Sequence, residues 1–582
     1  MDSRELIPAI GVFALVSALG FDEGGYAATA WGWSSVALLA VLAVLIGRGA
    51  ARPTGAAMVF VGGFAGLLVW TAASLVWTSH VTATVLEVER TALYLAAAAL
   101  FVLAGSATAL LGGTLAAASV ICAYGLGRWL LGEPEIPLSA DPLSGERLSE
   151  PIGYANGVAI LAAMGLLLAV GFAARASQPA NAAAAAATVP LLAATLYFTF
   201  GRGAWLALGV GLAAAVALGP RRLQLAATAG ALAVPAALAV LASHALEPGG
   251  GIAATVVLLG FVSAGTAFLL RTRRLVVPPA VRKGFAVGIV AVPAVAAAAV
   301  LIRLGGPEGV YDAFAAAPAP VHGEERVFSV SGSNRADYWR VAWGTYEDAP
   351  RLGDGAGTFA RNWLGARPVP QPVEDAHTLY LETLAELGPI GLALLAIALA
   401  APFAGRRDPV ALAPYVAFLA HAAQDWVWEL PAVTVAALAC GAAMLVPASG
   451  RRVPRAAAVL PALLCLAAAL AFAGNRALAE SVAAADRIDY AAAADSASTA
   501  RTLQPWSGEP WRLLGEAQLA AGSVQEARRS FERGLDRDPA DWELWLDLGL
   551  ASDGPAQRRA WIHAQSLNPL SPELQELGLR RR

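Results

Sequence analysis

Gly153-Tyr-Ala-Asn156-Gly-Val-Ala-Ile-Leu-Ala-Ala-Met164-Gly-Leu-Leu-Leu-Ala-Val-Gly-Phe-Ala-Ala174 runs from residue 153 to residue 174 without one charged side chain. A helix rises about 1.5 Å per residue, so roughly 20 mostly apolar residues cross the hydrocarbon core of a bilayer. The stretch therefore reads as a membrane span. Others of its kind recur at 6–20, 31–46, 54–77, 89–104, 106–131, 182–199, 203–219, 222–243, 251–270, 284–302, 377–404, 410–424, 430–447 and 455–474. The 582 residues are 57% hydrophobic and 14% charged, with a mean hydropathy of +0.59. That combination excludes an ordinary water-soluble protein. The expected fold is all-α: a polytopic transmembrane bundle of roughly 12–15 spans over residues 1–475, then a different region over 476–582.

Basic residues orient the bundle, because short cytoplasmic links keep Lys and Arg while translocated links lack them. Arg48 and Arg52, Arg175, Arg221 and Arg222, Arg271, Arg273 and Arg274 with Arg282 and Lys283, Arg406 and Arg407, and Arg451, Arg452 and Arg455 all fall in alternate links. The intervening links 21–30, 244–250 and 425–430 carry neither residue. The expected location is the cytoplasmic (inner) membrane, with the N-terminus cytoplasmic and the C-terminal region extracytoplasmic. Ala28-Thr29-Ala30 has the small residues of a signal-peptidase site, but an uncleaved first span is the simpler expectation. A net charge of -3 without a basic stripe gives no footprint for nucleic acid. Cys122, Cys440 and Cys465 stand alone within apolar stretches, as packing thiols do.

Beyond residue 475 the period changes. Trp511, Leu514 and Gly515, followed by Ala527, Phe531 and Pro539, have the spacing of a tetratricopeptide repeat, in which large and small residues interlock between paired helices. Gln518 stands where Tyr is usual. Ala493, Ala500 and Pro505 precede this unit at matching places, and Trp545, Leu548, Gly549, Ala564 and Pro569 follow it. About three repeats are expected, extracytoplasmic and able to hold a protein partner on a concave face. Asp536 and Asp538 make a D-x-D, read as a turn before Pro539 and not as a metal site.

The polar residues suited to chemistry fall in the outward links. Arg202, in Tyr197-Phe-Thr-Phe-Gly201-Arg202-Gly-Ala-Trp205, lies between two spans, where a guanidinium is costly unless it is paired or binds an anion; its planar fork suits phosphate oxygens. A snorkelling interfacial arginine is the plainer alternative. The longest outer link, 304–376, holds Ser333-Asn-Arg335-Ala-Asp-Tyr-Trp339-Arg340 and Gly353-Asp-Gly-Ala-Gly357-Thr-Phe359. Its aromatic content predicts an ordered loop, and its glycines read as turns. His377 opens the next span in Asp375-Ala-His377-Thr-Leu-Tyr380-Leu-Glu382-Thr-Leu-Ala-Glu386-Leu-Gly388, where a neutral imidazole can accept a proton.

Taken together, Arg202, the arginine-containing loop and a histidine entering the following helix resemble the O-antigen ligase and polymerase family of membrane glycosyltransferases. Trp70 to Trp77, Gly153-Tyr-Ala-Asn156 and His421-Ala-Ala-Gln-Asp425-Trp426 agree, and the likeness covers about residues 60 to 430. Two departures stand out: Gly201 replaces the usual Ser before Arg202, and Thr378 replaces the Asn that commonly follows the histidine. The resemblance implies transfer of a glycan from a polyprenyl-diphosphate lipid to an acceptor hydroxyl at the outer face. Arg202 and Arg335 would grip the diphosphate, with Arg340 as helper and His377 as base. Asn156 and Asp425 are further substrate-binding candidates, while Glu386 reads as a brace for the helix before Gly388. No cofactor and no metal are expected for the transfer. The acceptor, whether glycan, lipid or protein, stays open, so ligase and polymerase remain alternatives. A transporter of a lipid-linked glycan or small anion would need charges at the bilayer midplane or an internal duplication, and neither is visible. A membrane-tethered scaffold acting through the repeats is the third alternative.

Overall fold

The computed structural model describes residues 3–51, 53, 55–132, 146–219, 221–272, 288, 298–299, 301–316, 323–406, 408–446 and 452–578. Among these the chain is helical, with no strand. Every expected span coincides with helix except 284–302, which falls almost wholly outside the described residues. Among the described residues nine helical segments are long and apolar enough to cross a membrane, one of them, Pro179–Phe198, made of two helices in line. The expected span 182–199 is two helices, Pro179–Ala187 and Val189–Phe198. Pro190 causes the break, since it has no N–H to continue the ladder and its ring crowds the preceding turn.

Side-chain size decides which helices sit centrally. Ala155–Arg175 and Pro431–Ala443 are built almost entirely of Ala, Gly, Val and Leu and are buried along nearly their whole length. Small residues let neighbouring backbones close in: a Cβ on Gly171 would stand 3.0 Å from the Val410 Cα, and one on Gly211 only 2.4 Å from the Ala413 carbonyl oxygen. The helix Val459–Asp486 lies at the rim with Val459, Leu460, Leu463, Leu466 and Leu470 exposed, as a lipid-facing helix would be.

The links sort themselves between the two ends of the bundle. At one end Gly49 lies against Arg452, Arg271 donates to the Ala174 and Ala176 carbonyls, and Arg406 bonds through its backbone to Met444. These are the links expected to be basic. At the other end Tyr26 packs edge-on against Trp426, the Trp426 ring lies 4.3 Å from that of Tyr154, and Leu148 bonds through its backbone to Phe198. The links read as outward thus share one end.

The described part of the long link is folded. Tyr338, Phe359, Trp363 and Ala376 form its own small core between the helices Arg335–Asp348 and Phe359–Ala366. The link then docks on a kink in the helix Leu379–Ala400. Gly388 there has φ 65° and a Cβ on it would meet the Arg351 oxygen at 2.8 Å, so the bend requires glycine twice over, for conformation and for space.

The helix Val459–Asp486 continues without a break into the repeats. There Phe531 fills the space over Gly515, whose Cβ would meet it at 2.5 Å, and Trp561 does the same over Gly549. Repeat and bundle are tied at the outward-link end. Arg361 donates to Asp538 at 2.7 Å, Arg367 donates to Asn568 at 2.8 Å, and Thr82 donates to Ser507 at 3.1 Å. Asp538 therefore sits in a turn, as expected, and also anchors the long link.

Candidate active site

Arg202 is the first residue of the helix Arg202–Leu218, and Arg335 is the first of Arg335–Asp348. Each is preceded by a residue with positive φ: Phe200 at 47° before Gly201, and Asn334 at 65°. Such backbone costs on the order of 1–3 kcal/mol per residue and persists only where the surroundings hold it. Here it aims both helix starts at one small cleft, lined by Arg202, Arg335, Arg326, Asn156, Asp425 and His421 among others. Neither helix start carries a side-chain cap.

Arg335 is the anchored member. It donates to Asp425 at 2.7 Å, to the Gln424 carbonyl at 2.6 Å and to the Gly332 carbonyl at 3.3 Å. Asp425 is only 2% exposed, and burial raises its carboxyl, but Arg335 and the donated hydrogen bonds overcome this and hold it below the usual range. Tyr154 donates to it at 2.8 Å and Asn156 at 2.7 Å. Asn156 and Asp425 thus form a rigid floor that fixes the Arg335 fork.

Arg202 has a different set of partners, all neutral: the Ser329 carbonyl at 2.8 Å, the Ser329 hydroxyl, the Ser331 carbonyl and the Ser333 hydroxyl at 3.3 Å. Gly201 owes its size to packing, since a Cβ there would come within 2.8 Å of Ala159. Sequence reading missed Arg147, which donates to the Thr199 carbonyl at 2.7 Å and to Asn156. Burial and then the neighbouring Arg326 pull its guanidinium down to about 10, with Arg335 adding to the repulsion. Crowding of guanidinium groups around one floor carboxylate is a demand for negative charge from outside.

His377 stands beside this cleft without lining it. Its φ of 57° is unusual for a residue with a side chain. Its Nδ1 lies 3.1 Å from the Asp375 carbonyl, and its ring centroid is 5.0 Å from that of Tyr338, one turn along from Arg335. Burial, and then Arg335, lowers the imidazole to about 4, with Asp425 opposing. This burial favours the neutral imidazole, which can accept a proton but is a weaker base than one poised near the working pH.

Arg340 does not join this group. It is exposed and pairs with Asp337 one turn back on its own helix. Glu386 is the brace expected of it: its carboxylate accepts the Gly357 N–H at 2.9 Å and the Phe359 N–H at 3.0 Å, pinning the glycine turn. His421 was quoted only as part of a motif, yet it lines the cleft at 2% exposure with no partner for Nδ1 among the described residues. Asp375, Glu382 and Glu429 are the described carboxylates placed to share a cation, with oxygens within 4.8 Å of one another.

Two regions of the chain match known families. The chain carries a domain of the O-antigen ligase family: residues 249–396 match the family model and include Arg335, Arg340 and His377. Residues 508–551 match a tetratricopeptide repeat. The repeats are also 45% identical over 53 residues to tetratricopeptide repeat protein 33 of Xenopus laevis, a match covering 9% of this chain and 20% of that protein. The chain is therefore a multi-pass helical membrane protein in which an O-antigen ligase domain is joined to tetratricopeptide repeats. Such a domain supports a glycosyltransferase of ligase or polymerase type.

Proposed function

We propose that this protein transfers a glycan from a polyprenyl-diphosphate donor to an acceptor hydroxyl at the outer face of the cytoplasmic membrane. The observation that carries this reading is the convergence of two helix starts, each opening with an arginine, on one cleft. A cation at a helix N-terminus opposes the macrodipole, so two of them converging on one cleft favour an anion held between them. Outside the cytoplasm sugar nucleotides are lacking, so an activated sugar arrives on a lipid. The diphosphate is then the anion to be held.

The acceptor oxygen attacks the anomeric carbon as the bond from that carbon to the diphosphate oxygen breaks. The acceptor proton passes to His377, and polyprenyl diphosphate leaves. The anomeric configuration inverts. Arg335, fixed by Asp425 and Asn156, meets the growing negative charge with no reorganisation. Arg202 exchanges its neutral serine oxygens for phosphate oxygens. The transfer itself needs no divalent metal, since guanidinium groups supply the charge. The basic links face the cytoplasm on this reading, so the N-terminus is cytoplasmic and the repeats are extracytoplasmic, where they can hold a protein partner or acceptor.

The test is direct. Purified protein mixed with a polyprenyl-diphosphate oligosaccharide releases polyprenyl diphosphate when a hydroxyl acceptor is supplied, and not otherwise. Movement of the lipid across a vesicle with no release under any acceptor would sink the reading in favour of transport.

A further inference from the structure

Behind the His377 turn, on the side away from the arginines, lies a second cluster that the transfer does not use. Asp375, Glu382 and Glu429 come from the long link, the helix Leu379–Ala400 and the short turn after Asp425, and they place carboxylate oxygens within 4.8 Å of one another. Glu382 is 8% exposed and Glu429 4%. Glu87 adds a fourth carboxylate through its pairing with Arg90, which also pairs with Glu429. Among the described residues Arg90 is the one guanidinium paired within these four carboxylates. It is already committed, lying over the Trp31 ring at 5.3 Å as well.

An acidic cluster alone says little. The second observation is Glu429 itself: its Oε1 is shut off from solvent and has no hydrogen-bond partner among the described residues. The other oxygen pairs with Arg90, so the carboxylate is half satisfied, and its buried Oε1 still lacks a donor or cation. Glu382 receives only the Ala376 N–H, at 2.5 Å. Three oxygen donors, negative charge in excess and an orphaned buried oxygen are what a hard cation needs. Calcium bonds run about 2.3–2.6 Å, so oxygens up to 4.8 Å apart can flank such an ion on opposite sides.

The geometry points to a divalent cation site of calcium type at Asp375, Glu382 and Glu429, whose ion ties the His377 turn to the helix that follows it. The ion does not touch the donor. Its work is positional: Asp375 supplies a carboxylate to the ion and, through its carbonyl, lies 3.1 Å from His377 Nδ1. The binding claim is independent of the glycosyl-transfer reading, and only the consequence for His377 rests on that reading.

Terbium is the probe, because it occupies calcium sites and its emission is sensitised by nearby tryptophan; Trp428 adjoins Glu429 and Trp31 adjoins Arg90. Full-length protein in detergent is titrated with Tb³⁺ while exciting tryptophan, and then back-titrated with Ca²⁺. Wild type is expected to give saturable emission that Ca²⁺ displaces. Glu429→Gln and Glu382→Gln, which keep size and hydrogen-bonding capacity, are each expected to weaken binding at least tenfold. Among the described residues Glu382 makes no ion pair, so Glu382→Gln serves where loss of the Arg90 pair unfolds Glu429→Gln. The proposal fails if wild type shows no saturable emission, which would leave the carboxylates sharing protons. It fails equally if a folded Glu382→Gln binds with wild-type affinity. Because none of these readouts involves sugar transfer, a negative result here and an inactive enzyme are distinguishable.

Discussion

Two charged regions flank the turn 374–378, and they are near opposites. On one side, among the described residues, Arg147, Arg202, Arg326 and Arg335 lie close to the carboxylate of Asp425. On the other, Glu87, Asp375, Glu382 and Glu429 gather around a single guanidinium, Arg90. In the repeats Arg512 meets Glu509 at 2.7 Å, Glu516 at 2.6 Å and Glu543 at 3.6 Å, but these carboxylates are 31–45% exposed and water relieves their repulsion. Pairs of that kind contribute little and need no ligand. Imbalance within a buried group is different, because a low dielectric magnifies the repulsion and no water relieves it. Burial of the surplus, and not charge itself, separates the two functional candidates from the Arg512 group, and the sign of the surplus names the class of ion that each would take.

The sharpest way to break this comparison is at Arg335. Arg335→Ala leaves Asp425 buried without its counter-charge, which is expected to cost about 3–5 kcal/mol of stability, and it should lower transfer by ~10³ or more through loss of leaving-group stabilisation. Thermal unfolding in detergent and release of polyprenyl diphosphate measure the two effects. The double variant Arg335→Ala/Asp425→Asn is expected to recover stability and not transfer. Recovery of transfer would mean that Arg335 serves only to neutralise Asp425. His377→Ala comes next, with transfer reduced ~10²–10⁴-fold, as for loss of a general base, while a donor-binding assay stays at the wild-type level. Weakened donor binding in that variant would move His377 from the proton to the diphosphate. Arg202→Lys is milder: a point charge cannot reproduce bidentate contact, and a loss of roughly tenfold is expected, read from the same release assay. A wild-type rate would return Arg202 to the role of an interfacial residue.

Much of this was legible before the structure. Spans follow from apolar runs of bilayer length, and the alternation of basic links anticipated which links meet at each end. Gly515 and Phe531 announced a repeat because interlock of a small with a large residue leaves a fixed spacing. Arg335, Asp425 and Asn156 were named, although their hydrogen bonds to one another, across 90 and 269 positions, were not visible. Arg340 shows why. With the segment read as a loop, Arg340 passed as a helper to Arg335; on a helix the two lie about 140° apart, so only one can face the cleft. Arg147 was missed because its link carries no periodic signal. The pairing of Arg90 with Glu429 joins residues from opposite ends of the bundle sequence, and no local pattern encodes it.

The contact between repeats and bundle offers the smallest expected effect and bounds the comparison from the other side. Arg361 and Asp538 form a charged pair at 2.7 Å, with side chains 17% and 9% exposed, and His80 stands 3.8 Å from the same carboxylate. Here the charges balance, so no external ion is called for. Arg361→Ala is accordingly expected to loosen the docking by about 1 kcal/mol, the upper range for an ion pair of limited burial, and to leave transfer within about twofold, since Arg367 with Asn568 and Thr82 with Ser507 still hold the repeats. Limited proteolysis between bundle and repeats reports the loosening, and the release assay reports the rate. A fall in transfer comparable to that of Arg202→Lys would show that the repeats shape the cleft through Arg361, and a balanced pair would then matter as much as a surplus.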